Sequence, residues 1–178
     1  MKGSIVYIGL GSNLDKPIHQ LQSAINKISQ LPTTNFLKCS SFYQSIAMTL
    51  GDEQQLPIPD YINAVVQVAT SLEPINLLDH LQSIENAQGR DRQTQLRWQS
   101  RPLDLDILFY EDLTLKSPRL TIPHGGIQTR DFVLVPLLEI APQLCFPSGE
   151  KVAKYRESCN TYQLKKLDIP AITSLMNK

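Results

Sequence analysis

Apolar positions along this chain switch between a two-residue and a three-to-four-residue period, and the switches mark out the elements. Residues 4–10 (Ser-Ile-Val-Tyr-Ile-Gly-Leu) are β-branched and aromatic and run into Gly11-Ser12-Asn13, which predicts a strand ending in a turn. Pro17 then pre-sets a first helical turn, and Ile18, Leu21, Ile25 and Ile28 recur at helical spacing, predicting a one-faced helix that stops near Pro32. Residues 34–46 and 61–70 read as two further strands, the second apolar enough to be central. Pro74 opens a second helix with Leu77, Leu78, Leu81 and Ile84 on its apolar face and Gly89 placed as a left-handed cap. Pro102 leads into a strand at 103–110. The order β-α-β-β-α-β predicts an α+β protein of the ferredoxin-like class, an antiparallel sheet with its helices on one face. Helical additions are expected afterwards, at Phe132 to Ile140 despite Pro136 and in a polar tail at 151–167.

With 178 residues, no repeat and no linker-like stretch, a single domain is expected over 1–178. The 42% hydrophobic and 19% charged residues describe a folded chain, and zero formal net charge removes any global attraction to nucleic acid or membrane. Cys39, Cys145 and Cys159 are odd in number and far apart, which predicts buried free thiols rather than disulfides or zinc ligands. No apolar run approaches the ~18 residues of a membrane span. A monomer in the cytoplasm is the expectation.

Chemistry concentrates in residues 90–136. Strand alternation puts Asp104 and Asp106 on one face with Leu108 and Tyr110, and Leu103, Leu105, Ile107 and Phe109 on the other. Their backbones lie about 6.6 Å apart at strand rise, and at an effective dielectric near 20 the two charges repel by roughly 2–3 kcal/mol. A cation belongs between them. It is either Mg²⁺, which takes one or two carboxylates plus substrate phosphates, or a salt-bridging arginine such as Arg97 or Arg101. Taken alone the pair favours the salt bridge. The company shifts the balance, because Arg90, Arg92, Arg97 and Arg101 precede the aspartates and Arg119, His124 and Arg130 follow. Guanidinium forks suit phosphate, and polyphosphate transfer needs dispersed positive charge rather than a nucleophile. The common nucleotide signatures are missing: there is no Walker loop, and Leu14 stands where a dinucleotide fingerprint after Gly9 and Gly11 needs glycine.

These residues resemble the 6-hydroxymethyl-7,8-dihydropterin pyrophosphokinase family. The matching text is Y-I-G-L-G-S-N-L at 7–14, S-S-F-Y at 40–43, D-Y-I-N-A-V-V at 60–66, I-E-N-A-Q-G-R-D-R at 84–92, R-W-Q-S-R-P-L-D-L-D-I at 97–107, I-P-H at 122–124 and R-D-F-V-L-V-P-L-L-E-I-A-P at 130–142. The likeness runs over 4–147 and leaves 148–178 as a C-terminal extension. It implies a ferredoxin-like fold, ATP as pyrophosphoryl donor, two Mg²⁺ ions, and AMP as by-product. On this resemblance Asp104 and Asp106 bind the metals. Arg92 swings in with its loop to the transferring group, while Arg90, Arg101, His124 and Arg130 hold phosphates. Gln82, Trp98, Ile107, Arg119 and Thr121 belong to the nucleotide site, and Glu85 supports it from the helix end. For the pterin, Asn63 offers an amide edge and Tyr61 and Phe132 offer ring faces, completed by backbone at Ser45, Ile46 and Ala47. Without the resemblance the two aromatics would read as core. The chain differs from the family in a longer 44–60 segment, in Gln93 where lysine is common, and in Gly125 where an aromatic often follows the histidine.

No side chain stands out as a general base, so catalysis is expected from positioning and electrostatics, with metal lowering the pKa of the substrate hydroxyl. An RNA-recognition domain shares the same element order, but its aromatic signature is missing here. A catalytically silent pterin- or nucleotide-binding regulator is the third alternative.

Overall fold

The structure, a computed structural model, describes residues 3–46, 59–89, 101–159 and 163–169. Strand β1 (Ser4–Ser12) leads to helix α1 (Pro17–Ser29), strands β2 (Thr34–Cys39), β3 (Tyr43–Ser45) and β4 (Tyr61–Thr70), helix α2 (Pro74–Ala87) and strand β5 (Asp104–Tyr110). A hairpin of β6 (Leu115–Lys116) and β7 (Thr121–Ile122), helix α3 (Asp131–Ile140) and strand β8 (Lys165–Lys166) follow. The main sheet runs β5-β1-β4-β3-β8, with β2 also on β4, and its pairings are antiparallel. This is a mixed α/β architecture built on an antiparallel sheet and three helices among the described residues.

Both faces of the sheet are covered, which explains why β4 is apolar almost throughout. One face sends Val6, Ile8, Leu10, Ile62, Ala64, Val66 and Val68 into a core with Leu21 and Ile25 of α1 and Leu77 and Leu81 of α2. The other sends Tyr7, Val65, Leu108 and Phe109 against Leu134, Leu137 and Ile140 of α3. Helices α1 and α2 share one face, as the β-α-β-β-α-β order predicts, and α3, expected as a helical addition, packs on the other. It carries apolar residues on more than one side, and the second sheet face is the surface that buries them. Pro136 lacks the amide that would bond the Phe132 carbonyl, yet the helix continues through it, held by this packing.

Four local departures have identifiable causes. The expected strand at 34–46 breaks because Ser40, buried at the junction, donates its amide to the Val65 carbonyl at 2.9 Å while its hydroxyl accepts the Val65 amide at 2.9 Å. The hydroxyl takes the place of a backbone acceptor. In β5 the register against β1 shifts by one residue, pairing Tyr7 with Phe109 but Ile8 with Ile107. Leu108 is therefore a bulge, and the face pattern inverts beyond it: Phe109 joins the α3 side and Tyr110 the side of α1 and α2. Ile18 is 37% exposed and lies outside the buried face of α1, which uses Ala24 instead. The tail at 151–167 holds one turn of 3-10 helix at Val152–Tyr155 and then β8, because the open edge of β3 offers unpaired backbone groups. Leu167 completes that addition by donating its amide to the Phe42 carbonyl at 2.9 Å.

The cysteines are free, but only Cys159 is fully buried. Burial, with the nearby Glu139 charge, pushes the Cys39 thiol up to about 12, which keeps it protonated and unreactive. Gly89 follows α2 with φ of 90°, as its sequence position predicts.

Candidate active site

Helix α3 covers only one end of the second sheet face. The other end floors an open cleft of about 800 Å³, within the range common for small-molecule sites. Across this floor Asn63 of β4, Gly11 of β1 and Asp104 of β5 form one cross-strand row, and Val65, Gly9 and Asp106 form the next. Period-two alternation puts these six positions on one face; Gly11 leaves the middle of the first row bare, whereas the Leu108 side chain packs over Gly9 in the second.

Asp104 accepts a hydrogen bond from Arg101 Nη1 at 3.0 Å. The salt-bridge reading of that aspartate is thus realised in this state. Between the two carboxylates, the Leu105 amide donates to Oε1 of the fully buried Glu85 at 2.8 Å. Since β5 is the edge strand, this bond satisfies an outward amide and fixes the segment that carries both aspartates.

The entry to β5 is held from β1. Asn13, buried at the turn, accepts the Arg101 amide on Oδ1 at 2.9 Å and donates its own amide to the Arg101 carbonyl at 3.3 Å. Its Nδ2 donates to the Pro59 carbonyl at 3.2 Å. One side chain therefore joins the end of β1 to the residues that lead into β4 and β5.

His124 follows the cis Ile122–Pro123 bond, and its amide donates to the Leu108 carbonyl at 2.9 Å, at the bulge. Its Nδ1 accepts the Gly126 amide at 3.2 Å, which leaves Nε2 as the protonated nitrogen of the neutral ring. Nε2 lies 4.0 Å from Asp106 Oδ2. Burial first, and then the Arg130 charge, lower the His124 pKa, against an opposing pull from Asp104. A neutral ring at that distance presents an N–H dipole to the carboxylate rather than forming an ion pair.

At the β4 end of the cleft, Asn63 Nδ2 donates to Ser45 Oγ at 2.8 Å, which sets the amide orientation. Its Oδ1 faces the open position above Gly11. The Arg130 guanidinium stands 5.9 Å from the Phe132 ring centroid. Arg119, largely exposed, pairs with Asp79.

Of the residues singled out in the sequence, Ser45, Ile46, Tyr61, Asn63, Gln82, Arg101, Asp104, Asp106, Ile107, Arg119, Thr121, His124, Arg130 and Phe132 all line this cleft. Glu85 stands behind its floor. Ala47, Arg90, Arg92, Arg97 and Trp98 lie outside the described residues. Asn13 and Gly126 carry no functional weight in the sequence pattern, since neither belongs to a periodic face and the partners of Asn13 are 46 and 88 residues away.

A family model described as 7,8-dihydro-6-hydroxymethylpterin-pyrophosphokinase (HPPK) matches residues 7–142. The chain belongs to this family. It is 46% identical over 162 residues to the 2-amino-4-hydroxy-6-hydroxymethyldihydropteridine pyrophosphokinase of Haemophilus influenzae, covering 91% of this chain and 97% of that one. The Pseudomonas aeruginosa protein of the same name is 43% identical over 154 residues, with 86% and 91% covered. Among solved structures, an HPPK-DHPS chain in complex with substrates superposes with a TM-score of 0.66 at 13% identity over 89% of this chain. The present chain spans 43% of that longer one. A Plasmodium falciparum HPPK-DHPS superposes with a TM-score of 0.67 at 13% identity, and 45% of it is covered. At such identities the likeness is one of fold.

Proposed function

We infer that this chain transfers pyrophosphate from ATP to 6-hydroxymethyl-7,8-dihydropterin, yielding the pterin diphosphate and AMP for folate synthesis. Family membership supports the reaction, and the row Asn63–Gly11–Asp104 supports its placement in this cleft. Two strand spacings separate Asn63 from Asp104, about 9.6 Å. A pterin whose donor–acceptor edge meets Asn63 and whose ring meets Phe132 would direct its hydroxymethyl arm across the bare glycine toward the aspartates. The sheet order and the β-α-β-β-α-β sequence of β1 to β5, with β2 and β3 as one split strand, support the ferredoxin-like class.

The donor set fits Mg²⁺. Among the described residues no group of three or more His, Cys, Asp or Glu side chains could hold a metal, so a closed protein cage is not what these residues offer. Two carboxylates open to a cleft with phosphate-binding cations around them are what Mg²⁺ takes together with a nucleotide. Asp104 and Asp106 would hold it, with two ions implied by the resemblance, and it would supply charge neutralisation and a lowered pKa at the substrate hydroxyl.

The hydroxymethyl oxygen attacks the β-phosphorus, the bond from that phosphorus to the oxygen bridging the α-phosphate breaks, and AMP departs with the bridging oxygen. The hydroxyl proton passes to water. Arg130 and Arg101 bind phosphate oxygens, and neutral His124 donates from Nε2 to one more. Arg119 and Thr121 flank the nucleotide, and Arg119 exchanges Asp79 for it on binding. Arg90, Arg92 and Trp98 enter on the resemblance alone. A monomer in the cytoplasm is the accompanying proposal. None of the described helices is long and apolar enough to cross a membrane.

The test is AMP release from ATP and Mg²⁺ with and without hydroxymethyl-dihydropterin. AMP and pterin diphosphate should form in equal amounts, and only with pterin present. Release of ADP, or AMP formation indifferent to pterin, would sink the reading.

A further inference from the structure

Gly126 sits where His124 and Arg130 are arranged. Its amide donates to His124 Nδ1 at 3.2 Å. Its φ of −89° and ψ of −1° are open to any residue, so backbone conformation does not call for glycine here. Space does. A Cβ at Gly126 would lie 2.8 Å from Arg130 Cζ and 2.9 Å from both Nε and Nη1. Non-bonded carbons sit comfortably only at about 3.5–4.0 Å. The same guanidinium stands over the Phe132 ring, which restricts it from a second direction. By contrast, a Cβ at neighbouring Gly125 would meet nothing within 4 Å, so crowding is specific to position 126.

We propose that Gly126 is a positioning residue: its missing side chain lets the Arg130 guanidinium lie against the turn and reach into the cleft, where it meets the transferring phosphates. The inference rests on the phosphate-binding reading of Arg130. It predicts a division of labour within one residue. The amide orients His124, and the vacant Cβ position seats Arg130. Gly126→Ala keeps the amide and the backbone and removes only the seat. The displaced guanidinium then moves within the cleft or out of it, because it is the flexible end of a long side chain.

The experiment is a double-mutant cycle of wild type, Gly126→Ala, Arg130→Ala and the double variant. For each, kcat and KM are measured for ATP and for pterin, with affinity for a non-hydrolysable ATP analogue measured by calorimetry in Mg²⁺. Gly126→Ala should lower kcat/KM for ATP about tenfold and split that loss between KM and kcat as Arg130→Ala does. The double variant should be no worse than Arg130→Ala alone, in turnover and in analogue affinity. Stability loss that the added methyl causes apart from Arg130 enters both arms of the cycle and cancels, and thermal unfolding of Gly126→Ala reads out any loss that comes from the clash itself. If Gly126→Ala costs the same factor with and without Arg130, the glycine acts by another route and the proposal is overturned. It is equally overturned if Gly126→Ala is fully active while Arg130→Ala is impaired. An Arg130→Ala enzyme with wild-type kinetics would instead remove the phosphate role of Arg130, and the inference with it.

Discussion

The Leu105 amide donates to the buried Glu85 carboxylate at 2.8 Å, midway between Asp104 and Asp106 on an edge strand. A helix end thus holds the strand that carries both aspartates. Replacing Glu85 by Ala leaves that amide without its acceptor in a site closed to water, at a cost of about 1–3 kcal/mol. Glu85→Gln retains an acceptor oxygen and should cost less. Urea unfolding of the two variants checks this, and equal losses would show that the Leu105 bond is not what Glu85 contributes.

Asp104 and Asp106 separate the two readings of the acidic pair. As metal ligands, either one changed to Ala should lose at least about a hundredfold in turnover with the fold intact. Removing one charge also relieves its neighbour, so thermal stability should hold or rise for Asp106→Ala. Asp104→Ala additionally gives up the Arg101 pair, a partly exposed contact of modest worth. Near-normal turnover in both variants would leave Asp104 as a tether for Arg101 and nothing more.

Asn13 makes a sharper structural prediction, because its two side-chain ends do different things. Asn13→Asp keeps the oxygen that accepts the Arg101 amide and loses the donor to Pro59. Asn13→Ala loses both, and the half-buried amide of Arg101 then gives up its partner, at a cost of about 1 kcal/mol. Pterin KM should rise in both variants, since Pro59 leads into the strand bearing Asn63, while ATP KM should rise clearly only in Asn13→Ala. Equal effects on the two substrates in both variants would remove Asn13 as a shared clamp.

Glu139 gives a pH dependence with a definite sign. Its partial burial acts to raise its pKa, but hydrogen bonds from Lys166, Ser41 and Tyr43 outweigh this and hold it below the usual carboxylate value. A depressed folded pKa means that Glu139 contributes stability above its unfolded pKa and loses it as pH falls through the folded one. The stability gap between wild type and Glu139→Gln should therefore be full at pH 6 to 7 and close in acid, below the ordinary glutamate range. Denaturant titrations at stepped pH check it, and a gap independent of pH would refute the ionic contribution.

The parts of the fold legible beforehand are those with uninterrupted periodicity. Leu21, Ile25 and Ile28 announce α1, Leu77 and Leu81 announce α2, and the apolar run of β4 announces a central strand. Gly89 was legible because its left-handed cap has local sequence chemistry. The break at Ser40 and the bulge at Leu108 were not, since each depends on a partner strand far away in the chain. Nor could the pattern of α3 alone say which sheet face would receive it. Within the cleft, Asp104 and Asp106 share a face by alternation, which the sequence shows directly. The gathering of Arg101, His124 and Arg130 around them was read from their nearness in sequence, but the role of each came from family resemblance, because loop residues obey no period. Asn13 and Gly126 escaped both routes, one defined by bonds to distant backbone and the other by the room it leaves.

Among the described residues the sheet ends, beyond β3, on a strand of two residues, Lys165 and Lys166, both exposed. Unfinished sheet edges invite pairing with other chains, and short, positively charged edge strands discourage it. Here the strip is too brief to template a neighbour, and its exposed lysines add to the barrier. Its consequence lies in colloidal behaviour rather than in chemistry: the protein should tolerate high concentration because this edge of the sheet offers little backbone to recruit another chain.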